Sequence, residues 1–157
     1  MITFRKMVKS DIDIYLKWVD KPHVKDWWGS QPDKIYKKFD NPIYTDLYIL
    51  TLNDQPFGYA QVWDVNLDEL SEHPSGVLGI DLFIVEETYL DKGFGTKAVK
   101  ALLAELISRP NVPYIIIDPL TKNFRAIKCY TKAGFARVKT IQTKEGESLL
   151  MKFEHKG

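Results

Sequence analysis

The sequence contains a single cysteine, Cys129, in 157 residues. An internal disulfide is therefore excluded, and a reducing compartment is the natural setting. The histidines His23, His73 and His155 are scattered, and neither a CxxC nor an HxxxH spacing occurs, so no metal is expected. Charge of one sign is also lacking. Lysine and arginine number 22 against 21 aspartates and glutamates, a net of +1, which argues against non-specific nucleic-acid binding. No apolar run reaches membrane-spanning length, and Arg5, Lys6 and Lys9 interrupt any signal-peptide core. No nucleic-acid partner, no membrane and a cytoplasmic location are expected. Monomer and homodimer both remain open. Repeats, low-complexity tracts and linkers are missing too, and the length suits one domain over residues 1–157.

The most informative stretch runs from Gly79 to Leu103. Ile80, Leu82, Phe83, Ile84 and Val85 predict a largely buried strand. A polar elbow, Glu86 to Asp91, leads to Lys92-Gly93-Phe94-Gly95-Thr96. A helix is then expected, because Ala98, Val99, Leu102, Leu103 and Leu106 recur on one face. Gly93 and Gly95 let the backbone turn tightly and approach a ligand. The first-turn N–H groups and the helix dipole favour an anion there, such as a phosphate or pyrophosphate, with Lys92 adding charge at the rim.

Around this stretch the chain predicts a first strand over residues 2–6 and a helix whose apolar face is Ile12, Tyr15, Leu16 and Val19, capped by Ser10 or Asp11. Pro22 ends that helix or starts the next. The adjacent Trp27 and Trp28 cannot point the same way on a helix, so one is expected inward and one at a surface, where they could wall a ligand site. A short irregular helix is expected over residues 31–40, with Ile35, Tyr36 and Phe39 inward. Leu47–Leu52 and Gln55–Trp63 form a hairpin about Asn53-Asp54. Asp64 to Gly76 is a long acidic connection, either a solvated loop or a flap that attracts a cationic substrate. Tyr114–Ile117 is a short strand closed by Asp118-Pro119. Asn123–Ala133 is a helix with Ala126, Ile127, Tyr130 and Ala133 on one face and Gly134 as its cap, with Cys129 turned toward core. A terminal hairpin follows. The order gives a mixed α/β (α+β) domain with a twisted, mostly antiparallel sheet flanked by helices.

Three segments in order resemble the GNAT superfamily of N-acetyltransferases. One is the strand followed by Lys92-Gly93-Phe94-Gly95-Thr96, which is similar to the family's pyrophosphate loop, although Leu90 replaces its usual basic or amide residue. The others are Asn123, Ala126 and Tyr130 on one helix and Ala133-Gly134-Phe135 after it. Within the superfamily the aminoglycoside 6'-N-acetyltransferases are the most similar. That likeness rests on His23 with Trp27-Trp28-Gly29, Gly58-Tyr59-Ala60-Gln61, Gly79-Ile80-Asp81, Gly93-Phe94-Gly95-Thr96-Lys97, Asp118-Pro119 and Arg125 to Tyr130. There are two departures. Glu69 and Leu70 stand where that family has a tryptophan pair, and its substrate-binding glutamate has no obvious counterpart near Ile43, which lies between Asp40 and Asp46.

The resemblance implies acetyl-CoA as co-substrate and direct acetyl transfer to a small-molecule primary amine. Asp81 and Asp118 are the expected proton acceptors and substrate ligands. Each sits in or at the end of an apolar strand, where a lone carboxylate is costly unless it faces a cleft. Tyr130 matches the family's proton donor to the thiolate. The backbone N–H of Phe83, on a strand that is bulged in the family, is expected to face the thioester oxygen, with Phe83, Ile84 and Val85 pairing with the pantetheine arm. Lys92, Gly93, Phe94, Gly95 and Thr96 would hold pyrophosphate, and Asn123, Ala126 and Tyr130 the pantetheine side. Trp27, Trp28, Gln61 and Trp63 are the expected acceptor wall. Alternative acceptors are a protein N-terminus, a lysine or a polyamine, and a non-catalytic acetyl-CoA sensor is a further alternative. A dinucleotide reading of Gly93-x-Gly95-x-x-Ala98, with Asp118 at a strand end further on, is a remaining alternative; against it count an elbow too long for the required tight turn and the lack of a further βαβ unit.

Overall fold

Alternating apolar positions and two strong turn signals build most of the sheet. The computed structural model describes residues 1–28, 34–67, 72–85 and 93–154. Its strands are β1 (Ile2–Lys6), β2 (Tyr44–Leu52), β3 (Gln55–Asp64), β4 (Leu78–Ile84), β5 (Tyr114–Ile117), β6 (Ala136–Thr143) and β7 (Gly146–Glu154). The helices are α1 (Ile12–Val19), α2 (Pro22–Trp28), α3 (Ile35–Lys38), α4 (Phe94–Ile107) and α5 (Phe124–Ala133). The strands form one seven-stranded sheet in the order β1-β2-β3-β4-β5-β7-β6. Every neighbouring pair is antiparallel except β4–β5, which is parallel.

The β2–β3 hairpin turns through Asn53 and Asp54, both at positive φ, as a two-residue turn between twisted strands demands. Pro22 opens α2, where its missing N–H costs nothing. Gly134 closes α5 at φ +115. Asp11 behaves differently from expectation. Its carboxylate makes no cap bond to α1. It accepts instead from the Val8 N–H at 2.9 Å and takes a two-pronged bond from Arg5 at 2.8 and 2.9 Å.

Two main apolar layers cover the sheet. On one face Ile80, Ile84 and Ile115 pack against Ala98, Val99, Leu102, Leu103 and Leu106 of α4 and against Ile127 and Tyr130 of α5. On the other, Ile49, Tyr59 and Val85 meet Tyr15, Trp18, Val24 and Ile35 of α1–α3. Tyr36 is a correction to the expected core, being 54% exposed, whereas Ile35 is buried and Phe39 half-buried. On so short a helix Ile35 turns inward, and the next residue is rotated about 100° away from it, toward solvent.

The parallel pair β4–β5 touches only at Leu78↔Ile115 and Gly79↔Ile116. Beyond that point the strands part. The sheet therefore opens between the C-terminal half of β4 and the end of β5, with the N-termini of α4 and α5 above the gap.

Candidate active site

A cleft of about 1270 Å³ occupies this gap and continues over the α2–α3 side of the sheet. Side chains alternate along β4, so Asp81 and Phe83 project to the α1–α3 side. Asp81 sits directly across from Gln61, which donates to its Oδ2 at 3.1 Å. The Gln61 oxygen takes two donors, the Tyr59 hydroxyl at 2.9 Å and the Lys38 ammonium at 2.6 Å. Those donors fix which end of the amide is oxygen and aim its NH₂ at Asp81.

One part of the cleft gathers carboxylates from three elements. Asp81 comes from β4, Asp118 from the end of β5 and Glu145 from the β6–β7 turn. Burial, then the charges of Asp118 and Glu145, push Asp81 up to about 7, against the opposing pull of Gln61 and Lys38. Burial and Glu145 raise Asp118 to about 6. A carboxylate poised near neutrality is suited to accepting a proton at physiological pH. Tyr130 lines the same cleft. Burial, then Cys129, Asp81 and Asp118, raises its pKa, so its O–H stays protonated and able to donate.

The expected aromatic wall divides as two adjacent helical tryptophans must. Trp28 packs edge-on to Phe83 and Tyr59 at centroid distances of 4.8 and 5.7 Å and donates from Nε1 to the Tyr15 hydroxyl at 2.9 Å. Trp27 is 47% exposed. Both line the cleft, as do Gln61 and Trp63. The Trp63 ring lies close against Gly79, where a Cβ would meet it at 2.2 Å, so Gly79 is required by this close approach.

On the coenzyme side Gly93 precedes α4 at φ +83, with open space where a Cβ would stand. Gly93, Gly95 and Thr96 line the cleft, as do Asn123 and Ala126. Phe94, half-buried, packs against the α4 side of the core. The backbone amides of Gly95 and Thr96, in the first turn of a fourteen-residue helix, thus lie beside the gap, and Lys122, Lys128 and Lys132 line it from the α5 side. This donor set fits a pyrophosphate on a long pantetheine arm. Lys92, Leu90, Glu69, Leu70 and Gly29 lie outside the described residues.

Three expectations change. The Phe83 amide does not face the gap. Val85 donates to the Phe57 carbonyl at 2.8 Å, and the β3–β4 register runs from Gly58↔Ile84 to Asp64↔Leu78 without a shift. Because hydrogen-bonded pairs alternate, Phe83 and Val85 turn their N–H groups to β3, whereas Leu82 and Ile84 turn theirs toward the gap. The Ile84 carbonyl faces that way too, 3.3 Å from His23 Nε2. The second change concerns Asn123. Its side-chain oxygen caps α5 by accepting from Ala126 N–H at 3.2 Å, so Asn123 serves the helix as well as lining the cleft. The third concerns Cys129, which packs against the core as expected but is only half-buried, at the cleft wall, where Thr96 Oγ1 lies 3.6 Å from its sulfur.

Residue-level reasoning missed Glu145, Lys38 and Tyr44. Glu145 was hidden in a hairpin turn far along the chain, and Lys38 in a polar-looking helix. The only cue was that α3 places Lys38 three residues after the buried Ile35, on the same face.

A profile of the Acetyltransferase (GNAT) domain matches residues 7–143. The chain belongs to the GNAT acetyltransferase family. It is 33% identical to the aminoglycoside N(6')-acetyltransferase type 1 of Klebsiella pneumoniae, across 96% of this chain and 81% of that protein. Its fold superposes on the aminoglycoside acetyltransferase AAC(6')-Ib in complex with coenzyme A and kanamycin with a TM-score of 0.89 and 34% identity, covering 98% of this chain and 95% of that one. The structure of AAC(6')-Ib with paromomycin and acetyl-CoA gives the same TM-score at 33% identity, covering 98% and 93%. This GNAT chain is accordingly an acetyl-CoA-dependent N-acetyltransferase. Among its described residues no helix is long and apolar enough to cross a membrane, and no cluster of His, Cys, Asp and Glu could hold a metal.

Proposed function

We propose that this GNAT enzyme acetylates the 6'-amine of an aminoglycoside and so acts in antibiotic resistance. The observation that carries the reading is the convergence of Asp81, Asp118 and Glu145 beneath a wall of Trp27, Trp28 and Trp63. Carboxylates recruit the ammonium groups of such a drug, and indole faces pack on the C–H faces of its rings. The similarity to AAC(6')-Ib, bound to kanamycin in one structure and to paromomycin in another, supports the same acceptor. Acetyl-CoA is an intracellular metabolite, which favours a cytoplasmic site of action.

Acetyl-CoA, when bound, supplies an acetyl thioester whose C–S bond breaks as the amine nitrogen bonds to the carbonyl carbon. The chain's residues serve the three needs of that exchange. Asp81, held by Gln61, takes the proton that makes the ammonium nucleophilic, while Asp118 and Glu145 hold neighbouring positive charge. The Leu82 and Ile84 amides, and not that of Phe83, lie on the side from which the thioester oxygen can be polarised. A pre-aimed amide in a dry site lowers such a barrier by about 2–4 kcal/mol. Tyr130 gives its proton to the departing thiolate. Gly93, Gly95 and Thr96 receive the pyrophosphate, with Phe94 and the Asn123–Ala126 turn beside them; Lys92 is assigned to the same loop by sequence.

The test is CoA release, followed with a thiol reagent, using kanamycin-type drugs with and without a free 6'-amine, spermidine and an N-terminal peptide. Turnover confined to 6'-amine drugs is the expected result. Turnover with the peptide or spermidine alone, or none despite tight acetyl-CoA binding, overturns the acceptor.

A further inference from the structure

Lys38 brings an ammonium of the chain itself into the acceptor side of the cleft. Its Nζ lies 5.7, 5.5 and 5.9 Å from the ring centroids of Trp28, Tyr44 and Tyr59. It donates at 2.6 Å to the Gln61 oxygen, whose NH₂ in turn holds Asp81. Three aromatic rings and an amide oxygen, one residue away from a carboxylate, are what an alkylammonium ligand recruits from a protein. The burial of Ile35 carries Lys38 to this place, since the two residues share a face of α3.

We infer that Lys38 is a specificity-determining residue: its ammonium fills the cation subsite beside Asp81 and disfavours acceptors that carry a second ammonium next to the reacting amine. The inference rests on the proposed amine-acetylating role of this cleft, but not on which amine is the natural acceptor. An amine approaching Asp81 comes within reach of Lys38, and two ammonium ions in that space repel unless one leaves. At about 6 Å and an effective dielectric of about 20 that repulsion amounts to roughly 100-fold in affinity, and screening reduces it to about tenfold. Lys38 also acts on Asp81. The titratable groups that face Asp81 are Lys38, Tyr44, Tyr59, Asp118, Tyr130 and Glu145. Lys38 is the cation in that set and favours the ionised carboxylate. Burial lowers Lys38 itself to about 8, against the pull of Asp81 and with Lys34 adding to the lowering.

The experiment compares wild type, Lys38→Met and Lys38→Arg. Kanamycin and a 6-amino-6-deoxyglucoside with a single amine are the acceptors, and KM and kcat are followed against pH. Lys38→Met is expected to lower the KM for kanamycin about tenfold while changing that for the single-amine sugar less than about twofold. It should also move the acidic limb of kcat/KM to higher pH, because Asp81 loses its cationic neighbour. Lys38→Arg should keep the wild-type KM ratio. An unchanged ratio in Lys38→Met, or an equal rise in both KM values, overturns the inference and leaves Lys38 a wall residue. If wild type turns over neither sugar while binding acetyl-CoA, the proposed acceptor fails. Calorimetric Kd values of spermidine and butylamine for the same variants then decide Lys38 separately: spermidine must gain on butylamine in Lys38→Met, and no gain rejects the inference.

Discussion

Asp46 on β2 and Asp81 on β4 are two aspartates of one sheet with opposite electrostatics. Burial pushes both upward. At Asp46 this is outweighed by Arg109, which donates at 2.7 Å, by the Thr45 hydroxyl at 2.9 Å and by the Tyr48 hydroxyl at 3.1 Å, so the carboxyl is held below its usual range. Asp81 has a neutral amide as its direct partner, a cation one residue further away and two like charges nearby, and it rises to about 7. A buried carboxylate becomes structural when a cation is bonded to it directly, and chemically useful when that cation is withheld.

The strongest way to break this contrast is Asp81→Asn. Turnover should fall by roughly 10²–10⁴-fold, read by CoA release. A raised carboxyl pKa means that the neutral form stabilises the fold below about pH 4 and that this contribution is lost as pH climbs through about 7. Asp81→Asn should therefore also be more stable than wild type at pH 8, by about 1–2 kcal/mol in urea denaturation. Near-normal turnover would remove Asp81 from the mechanism. Tyr130→Phe comes next, with turnover down roughly 10²-fold and acetyl-CoA affinity nearly intact; an unchanged kcat would exclude it as the proton donor.

Arg109→Met tests the other aspartate. It should cost about 1–2 kcal/mol of stability near pH 7 and leave kcat/KM alone. Asp46 has a depressed pKa, so its stabilisation is present above about pH 4 and lost as the pH falls through the lower folded value. The penalty in Arg109→Met should shrink accordingly in acid. A loss of activity equal to that of Asp81→Asn would erase the distinction between the two sites. The smallest effect is expected for Glu145→Gln. Removing that negative charge should move the acidic limb of the pH–rate profile downward, as one shift of the coupled Asp81–Asp118 pair. An upward movement would contradict the like-charge account.

Much of the coenzyme side was legible from residue order because it is local. Gly93 before an amphipathic α4, Asn123 opening α5 and Tyr130 on its inward face follow from turn chemistry and helical period, each within a few residues. The direction of the β4 amides was not legible. It depends on which residues of β3 they meet, and a register without a bulge reversed the expected roles of Phe83 and its neighbours.

The sequence by itself determined a mixed sheet, the strand–glycine–helix element, the buried faces of α4 and α5, and the placing of Asp81 and Asp118 in or at the end of apolar strands. Those follow from periodicity and from the cost of an apolar strand holding a charge. Only the tertiary structure decided that Glu145 joins the two aspartates, that Lys38 stands among three rings beside them, and that Asp46 is locked to Arg109. Most of those contacts join residues on different elements of the chain, and even Lys38 and Tyr44, six residues apart, meet only through the turn from α3 into β2. Strand order and register set their distances, and a carboxylate's pKa depends on neighbours that no local pattern names.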